Sequence, residues 1–289
     1  MSKVNLLGHS IHLKNFIFLY ENGKLPTKIL LSGRKGIGKS LLVKNFLFNI
    51  FNYENSKVLI DNHTHANVLN IKKKDDKKNI EIDQIREIIK FSNQSSFNNK
   101  SRFIIIDDAE YLNQNSSNAL LKSLEEPNSN IYFFLIHNSE MNIFDTIKSR
   151  CLEHKLGLKL NDTISIVENY FSEKIYDNIN NNLKNYYSTP KYLISLISYL
   201  RENELSISDT NINKLIINII DNKHYNKHIF VKEYLNYIIE LFFYNHINIS
   251  KTVSYTVKKY YYAKLANIIK FNLDYETFFI EFKEKMLSE

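Results

Sequence analysis

The stretch "TKILLSGRKGIGKSLLVKNFLFNIF", residues 27–51, decides the fold. Its first part, "TKILLSG", is a short apolar run that predicts a buried strand ending at Gly33. The next part, "GRKGIGKS", fits G-x-x-x-x-G-K-[ST] between a strand and a helix, the arrangement of a phosphate-binding loop. In the last part Leu42, Phe46 and Ile50 recur at helical spacing, which predicts one face of a helix.

Glycine is scarce in this chain, with six residues in all, and three of them fall between Gly33 and Gly38. Such a loop turns backbone N–H groups toward phosphates, and the following helix adds the positive end of its dipole. We expect the Lys39 ammonium to reach the β and γ phosphates and the Ser40 hydroxyl to bind Mg²⁺. The predicted nucleotide contacts of the loop are Gly33, Arg34, Lys35, Gly36, Ile37, Gly38, Lys39, Ser40 and Leu41.

A second acidic motif follows the apolar run "FIII", residues 103–106. Asp107 stands where a strand-end carboxylate completes a magnesium site, so Ser40 and Asp107 form the predicted metal pair. Asp108 stands where a catalytic base would activate water, but aspartate is one methylene shorter than glutamate, which makes it a weak base position. Glu110 is a possible substitute, although it lies past the strand end in a turn. The motif therefore favours binding over efficient hydrolysis.

The rest of the first half alternates apolar runs with helical patterns, which predicts a parallel sheet covered on both faces. The further predicted strands are "NVLNI" (67–71), "RFIIID" (102–107), "IYFFLIH" (131–137) and "CLEHKL" (151–156). The predicted helices are "EIDQIREIIKF" (81–91), "SSNALLKSLEEP" (116–127) and "FDTIKSR" (144–150). The charged run 72–78 and the polar run 93–101 are predicted loops.

After residue 156 long apolar-periodic segments dominate, and they predict helices throughout. We therefore expect three domains: an α/β nucleotide-binding domain at 1–156, a small helical domain at 157–205 and a helical domain at 206–289. The net charge of +7 permits an acidic partner such as DNA, although abundant lysine and asparagine can also reflect genome composition.

The bulk composition also bounds the class of protein. No apolar run reaches the ~18 residues that a membrane helix needs, and the N-terminus lacks the layout of a signal peptide, so we expect a cytoplasmic protein with no membrane contact. The single cysteine, Cys151, excludes a disulfide framework within the chain and a multi-cysteine zinc module. We expect Cys151 to pack as a small apolar residue.

The order and spacing of these motifs resemble the AAA+ clamp-loader family of bacterial DNA polymerase III. The segments that carry the resemblance are the phosphate-binding loop, "IIIDDAEYLNQNSSNALLKSLEEP" (104–127), "IYFFLIHN" (131–138) and "DTIKSRC" (145–151). The resemblance covers most of residues 1–200. It implies an AAA+ domain with a five-stranded parallel sheet, a helical lid domain and a C-terminal helical collar domain.

Within that family the chain is most similar to the delta-prime subunits. "DDAEYLN" (107–113) and "STPKYLISL" (188–196) resemble delta-prime segments. The motor subunits, gamma and tau, normally carry Asp-Glu at the magnesium strand, a four-cysteine zinc module and a sensor arginine. Here those places hold Asp107-Asp108, a single cysteine in the whole chain and Lys191.

The resemblance implies a hetero-pentamer with gamma/tau and delta subunits that opens the sliding clamp and places it on primer-template DNA. It implies that Arg150, in the Ser-Arg-Cys triplet, acts as an arginine finger in the nucleotide site of a neighbouring subunit. Asn138 aligns with the position that senses the γ-phosphate, and a structural role as a turn residue in "HNSEMN" (137–142) is an equal alternative. The chain would then hold ATP and Mg²⁺, with weak or absent ATPase activity of its own, as a component of a nucleotidyltransferase holoenzyme.

Three other interpretations remain open or weaker. The chain could be a motor ATPase of the gamma/tau type or another AAA+ enzyme, which turnover by the purified protein would reveal. A small-molecule kinase would need acceptor-site residues that the sequence does not show and would leave the Ser-Arg-Cys triplet unexplained. A GTPase would need an N-K-x-D motif, and the nearest candidate, Asn222-Lys223, ends in Tyr225 instead of aspartate.

Overall fold

A parallel sheet of five strands forms the centre of the first half of the chain. Its strands are β1 (Lys28–Gly33), β2 (Val68–Ile71), β3 (Arg102–Ile106), β4 (Ile131–Asn138) and β5 (Leu152–Lys155), in the spatial order β2-β3-β4-β1-β5. The computed structural model describes residues 7–53, 55–93, 100–125, 130–185, 187–249, 255–271 and 273–287.

Helices cover both faces of this sheet. They are α1 (Ser10–Glu21), α2 (Lys39–Ile50), α3 (Ser56–Asp61), α4 (Ile82–Asn93), α5 (Gln114–Glu125) and α6 (Asp145–Lys148). The side chains of successive residues in β3 lie on opposite faces of the sheet, as the pleat of a strand requires. Phe103 packs with Phe16 of α1 and Phe46 of α2, whereas Ile104 packs with Ile85 of α4 and with α5.

The chain divides into two compact units, Met1–Asp162 and Thr163–Glu289. The helix α7 (Leu160–Phe171) begins in the first unit and continues into the second. The remaining helices are α8 (Pro190–Glu202), α9 (Ile212–Asp221), α10 (His224–Lys227), α11 (Ile229–Ile249), α12 (Tyr255–Phe271) and α13 (Glu276–Phe282). The further division of the helical half near residue 205 stays a prediction.

The second unit is built around buried aromatic and aliphatic side chains of α8, α9 and α11. Helix α8 begins at a sharp boundary, because Pro190 occupies its first turn and the Thr189 hydroxyl accepts a hydrogen bond from the Tyr192 N–H. Within the described part of the chain, no helix has the length and apolar character needed to cross a lipid bilayer.

The predicted strands and the predicted parallel sheet are confirmed, and most helix bounds shift by one to three residues. Helix α5 starts earlier than expected because Asn113, before the two serines, exchanges hydrogen bonds with Ser116 and caps the helix. Pro127, the last residue of the predicted helix 116–127, and residues 94–99 of the predicted loop lie outside the described residues. Helices α1 and α3 were not predicted.

Candidate phosphate-binding site

The phosphate-binding loop connects β1 to α2 at the carboxyl end of β1, which lies between β4 and β5 in the sheet. Gly36 and Gly38 have φ angles of 84° and 94°, a left-handed backbone that side chains with a Cβ rarely adopt. Gly33 serves a different need, since a Cβ there would lie 2.5 Å from the backbone oxygen of Leu156 and 2.7 Å from the Ile37 side chain. Each glycine of the motif therefore has its own geometric reason.

The ammonium of Lys39 lies folded inside the loop. Its Nζ donates hydrogen bonds of 2.7 Å to the backbone oxygens of Gly33 and Arg34. Burial lowers the pKa of Lys39, and Glu110 is the largest of the nearby charges that oppose this effect. The positive charge is thus held at the centre of the loop, where phosphate would be bound.

The predicted metal pair is in contact. The Ser40 hydroxyl donates a hydrogen bond of 3.0 Å to Asp107 Oδ2, and Asp107 Oδ1 accepts one from the Asp108 N–H. A hydroxyl and a carboxylate side by side, next to a loop that faces phosphates, are the few protein ligands that Mg²⁺ usually takes alongside phosphate oxygens and water. The oxygen atoms of Ser40 and Asp107 therefore fit a magnesium ion.

Asp108 has an unusual backbone and surroundings. Its φ of 58° is left-handed, and burial, followed by the nearby Asp107 carboxylate, raises the pKa of its side chain. Lys72, Lys35 and Lys73 oppose that rise, so the first lysines of the charged run 72–78 act on this residue. A carboxyl group with a raised pKa is closer to a useful base, but its chain remains short.

Glu110 contacts Asn138, the residue that aligns with the γ-phosphate sensor position. Its Oε2 accepts a hydrogen bond of 3.0 Å from the Asn138 backbone N–H, while the Asn138 side-chain oxygen accepts one from the Glu140 N–H at 3.2 Å. Arg34 pairs with Glu140 at 3.3 Å. Glu110 therefore contacts an N–H at the end of β4, and Glu140 contacts a cation of the loop. Only Glu110 was considered from the sequence.

His9 is, after Glu140, a second residue of this region that the sequence did not point to. It precedes α1, is 1% exposed, and lies 2.7 Å through Nε2 from the backbone oxygen of Ile37. Because a carbonyl oxygen only accepts, Nε2 carries the proton, and the buried Nδ1 has no partner among the described residues. Burial lowers the pKa of His9. No motif marks this contact, because it joins residues 28 positions apart.

Arg150 lies at the other end of the sheet. It precedes β5, whose Leu152 pairs with Ile29 of β1, whereas the phosphate-binding loop begins at Gly33. The four residues from Ile29 to Gly33 span about 13 Å, and Arg150 lies beyond them. Its guanidinium contacts Glu125 at the end of α5. The neighbouring Cys151 is half-buried, and burial raises the pKa of its thiol to about 11.

The structure therefore brings together the loop, the metal pair, Asp108 and Asn138, and it separates Arg150 from them. Leu41 follows the loop on the exposed side of α2. Lys191 belongs to the second unit, where its Nζ lies 2.6 Å from Glu233 Oε1. Among the described residues, no cluster of three or more histidine, cysteine or carboxylate side chains could hold a metal ion.

Comparison with known proteins adds an independent observation. A family model described as "DNA polymerase III, delta subunit" matches residues 8–158, just over half of the chain. The chain is 30% identical over 139 residues to the DNA polymerase III subunit delta' of Pseudomonas aeruginosa, which covers 45% of this chain and 42% of the relative. It is 32% identical over 162 residues to the DNA polymerase III subunit gamma of Buchnera aphidicola subsp. Schizaphis graminum, covering 53% and 44%.

The matches thus span less than half the length of these relatives. Among solved structures, a DNA polymerase III gamma subunit-related protein of Thermotoga maritima is similar over 83% of this chain and 79% of its own. The TM-score is 0.48 and the sequence identity 18%, a level that identifies neither an activity nor a subunit type.

Proposed function

The chain belongs to the family described as DNA polymerase III, delta subunit, and on that premise we propose that it is a delta-prime subunit of a clamp loader. In this proposal it works in the cytoplasm with gamma/tau and delta subunits in a hetero-pentamer. The assembly opens the sliding clamp and loads it onto primer-template DNA. The chain's own part is to complete the ring and to donate Arg150 to a neighbouring nucleotide site.

The position of Arg150 is the observation that carries this proposal. Its guanidinium lies at the amino end of the sheet, more than about 13 Å from the chain's own phosphate-binding loop. An arginine there does not serve the nucleotide of its own subunit but is available to a neighbour. A planar cation facing phosphate charge as it develops is the role of an arginine finger, worth ~10³–10⁵ in rate in other systems.

The chain's own loop supports a second part of the proposal, the binding of ATP and Mg²⁺. The loop N–H groups and Lys39 would hold the phosphates, and Ser40 with Asp107 would hold the ion, whose charge would neutralise the phosphate oxygens. Leu41 and Asn138 would lie against the nucleotide. Asp108 is a short base in a left-handed turn, so we expect weak or absent hydrolysis at this site.

Co-purification tests the assembly. The chain should be recovered in one complex with the gamma and delta subunits of its own organism, and that complex should load its clamp onto primed DNA. Arg150→Ala should leave the complex intact but slow its DNA-stimulated ATP hydrolysis by at least about 100-fold at one site. Recovery of the chain without those partners, or an unchanged rate with Arg150→Ala, would contradict the proposal.

A motor ATPase of the gamma type is the second candidate, because the glycine motif is intact and a gamma subunit is among the relatives. The two candidates differ in what the purified chain does alone. A motor should turn over ATP, and Asp108→Ala should abolish that turnover. A delta-prime subunit should bind an ATP analogue with little turnover, and Asp108→Ala should then change little.

A further inference from the structure

Glu125 and Arg150 form a contact that the sequence did not suggest. Arg150 Nε and Nη2 donate to the same carboxylate oxygen of Glu125, at 3.0 and 2.6 Å. Nη1 donates to the backbone oxygen of Thr146 at 3.0 Å. The carboxylate comes from the end of α5 and the carbonyl from α6, so two separate elements fix the guanidinium.

This arrangement leaves part of the guanidinium available. Arginine has five N–H groups, and three of them are used by Glu125 and Thr146. The other two are one on Nη1 and one on Nη2, and no acceptor among the described residues takes them. The two terminal nitrogens are the pair that binds phosphate oxygens in a forked contact. The contact with Glu125 thus orients the side chain without using up its phosphate-binding groups.

We infer that Glu125 is a positioning residue for Arg150: it holds the guanidinium so that its terminal nitrogens face the nucleotide of the neighbouring subunit. The inference rests on the proposed role of Arg150 in trans. A free arginine side chain must lose rotamer freedom each time it engages phosphate, and a fixed partner reduces that loss. The side chains of Arg150 and Glu125 are 34% and 52% exposed, so water weakens the electrostatic effect of the Glu125 charge on Arg150. The hydrogen bonds still fix the orientation of the guanidinium.

The test uses the reconstituted complex of this chain with its gamma and delta subunits. Glu125→Ala should lower the kcat of DNA-stimulated ATP hydrolysis by about tenfold at the one site that Arg150 faces, with the KM for ATP at that site nearly unchanged, since the fault lies in the transition state. Glu125→Gln keeps an oxygen acceptor and should recover most of the rate. Glu153→Gln is the matched control, because its carboxylate pairs with Lys148 of α6 rather than with Arg150.

A double substitution separates this inference from the proposed function. If Glu125 acts through Arg150, Glu125→Ala should add nothing in the Arg150→Ala background. An additive loss there, or an unchanged or raised rate with Glu125→Ala alone, would overturn the positioning role. An unchanged rate with Arg150→Ala would instead overturn the trans role of Arg150 and, with it, the premise of this inference.

Discussion

The carboxylate of Glu110 accepts a hydrogen bond of 3.0 Å from the backbone N–H of Asn138. Among the charges that raise the pKa of the buried Lys39 ammonium, it has the largest effect. An N–H at the end of β4 and an ammonium in the loop are the donors that a terminal phosphate would use. Glu110 would therefore compete with a bound nucleotide for these donors. The turn after β3 thus places the Glu110 carboxylate beside these donors, whereas the sequence suggested it only as a possible substitute for the base Asp108.

Glu110→Gln should therefore tighten nucleotide binding. The amide keeps the shape and can still accept from the Asn138 N–H, but it removes a negative charge close to the phosphates. We expect the Kd for a fluorescent ATP analogue to fall by up to about tenfold at low salt, and by less at high salt. Glu87→Gln, at an exposed position on α4, removes the same charge and should change little. Weaker binding by Glu110→Gln would count against competition.

Asp107→Asn tests the magnesium pair. The amide keeps the contact with Ser40 but loses the charge that would bind the ion. In the presence of Mg²⁺ the affinity for the ATP analogue should fall about tenfold, whereas in EDTA it should stay the same or rise. Ser40→Ala should show the same Mg²⁺-dependent loss. Asp83→Asn, on the exposed first turn of α4, is the control for a lost carboxylate. Equal losses with and without Mg²⁺ would contradict the metal role.

The parts of the fold that could be predicted from the sequence are those with local signals. The strand and loop of residues 28–40 were predictable, because the glycine spacing and the apolar run are local signals. Helix α1 was missed, since apolar residues occur on more than one side of it, with Ile11 and Phe18 largely exposed and Phe16 buried. The Ser40–Asp107 contact follows from parallel strands ending at one edge, which the alternation of strands and helices predicted.

Other site contacts depend on packing that no local pattern encodes. Glu110 reaches Asn138 because the chain turns after β3, at the left-handed Asp108, and β4 ends beside β3. Glu125 contacts Arg150 because the end of α5 lies beside the segment between α6 and β5. The two residues are 25 positions apart. Both pairs join exposed or half-exposed polar residues, and the sequence shows no periodic pattern at these positions that would predict the contacts.

Gly33→Ala tests the close approach of β1 to the segment after β5. An added Cβ would lie 2.5 Å from the Leu156 backbone oxygen, which forces backbone to move. We expect a loss of about 1–3 kcal/mol in the free energy of unfolding, measured by urea titration, together with weaker nucleotide binding. Gly157→Ala is the matched control, because a Cβ there meets nothing within 4 Å. Equal stability of the two variants would show that the strand ends relax freely.

His9 predicts how stability depends on pH. Burial lowers its pKa in the folded chain, and the hydrogen bond to the Ile37 oxygen opposes this only in part. The folded state therefore holds the neutral ring, while the unfolded state takes up a proton near the ordinary value of 6.5. Stability from this residue is therefore present above about pH 6.5 and is lost as the pH falls through 6.5 toward the lower folded value. One such proton changes the free energy of unfolding by at most about 1.4 kcal/mol per pH unit.

His9→Gln should remove that dependence while keeping an amide N–H for the Ile37 oxygen. Urea unfolding at pH 7.5, 6.5 and 5.5 should show the original chain losing more stability on acidification than the variant. His65 and His224, whose pKa values burial also lowers, contribute equally to both and cancel in the comparison. Burial also lowers the pKa of His154, and the smaller effect of His9 on it is lost in the variant, which acts in the same direction as the expected result. His63→Gln, at an exposed site, should keep the original slope. Parallel pH curves for the original chain and His9→Gln would mean that burial does not hold His9 neutral in the folded chain.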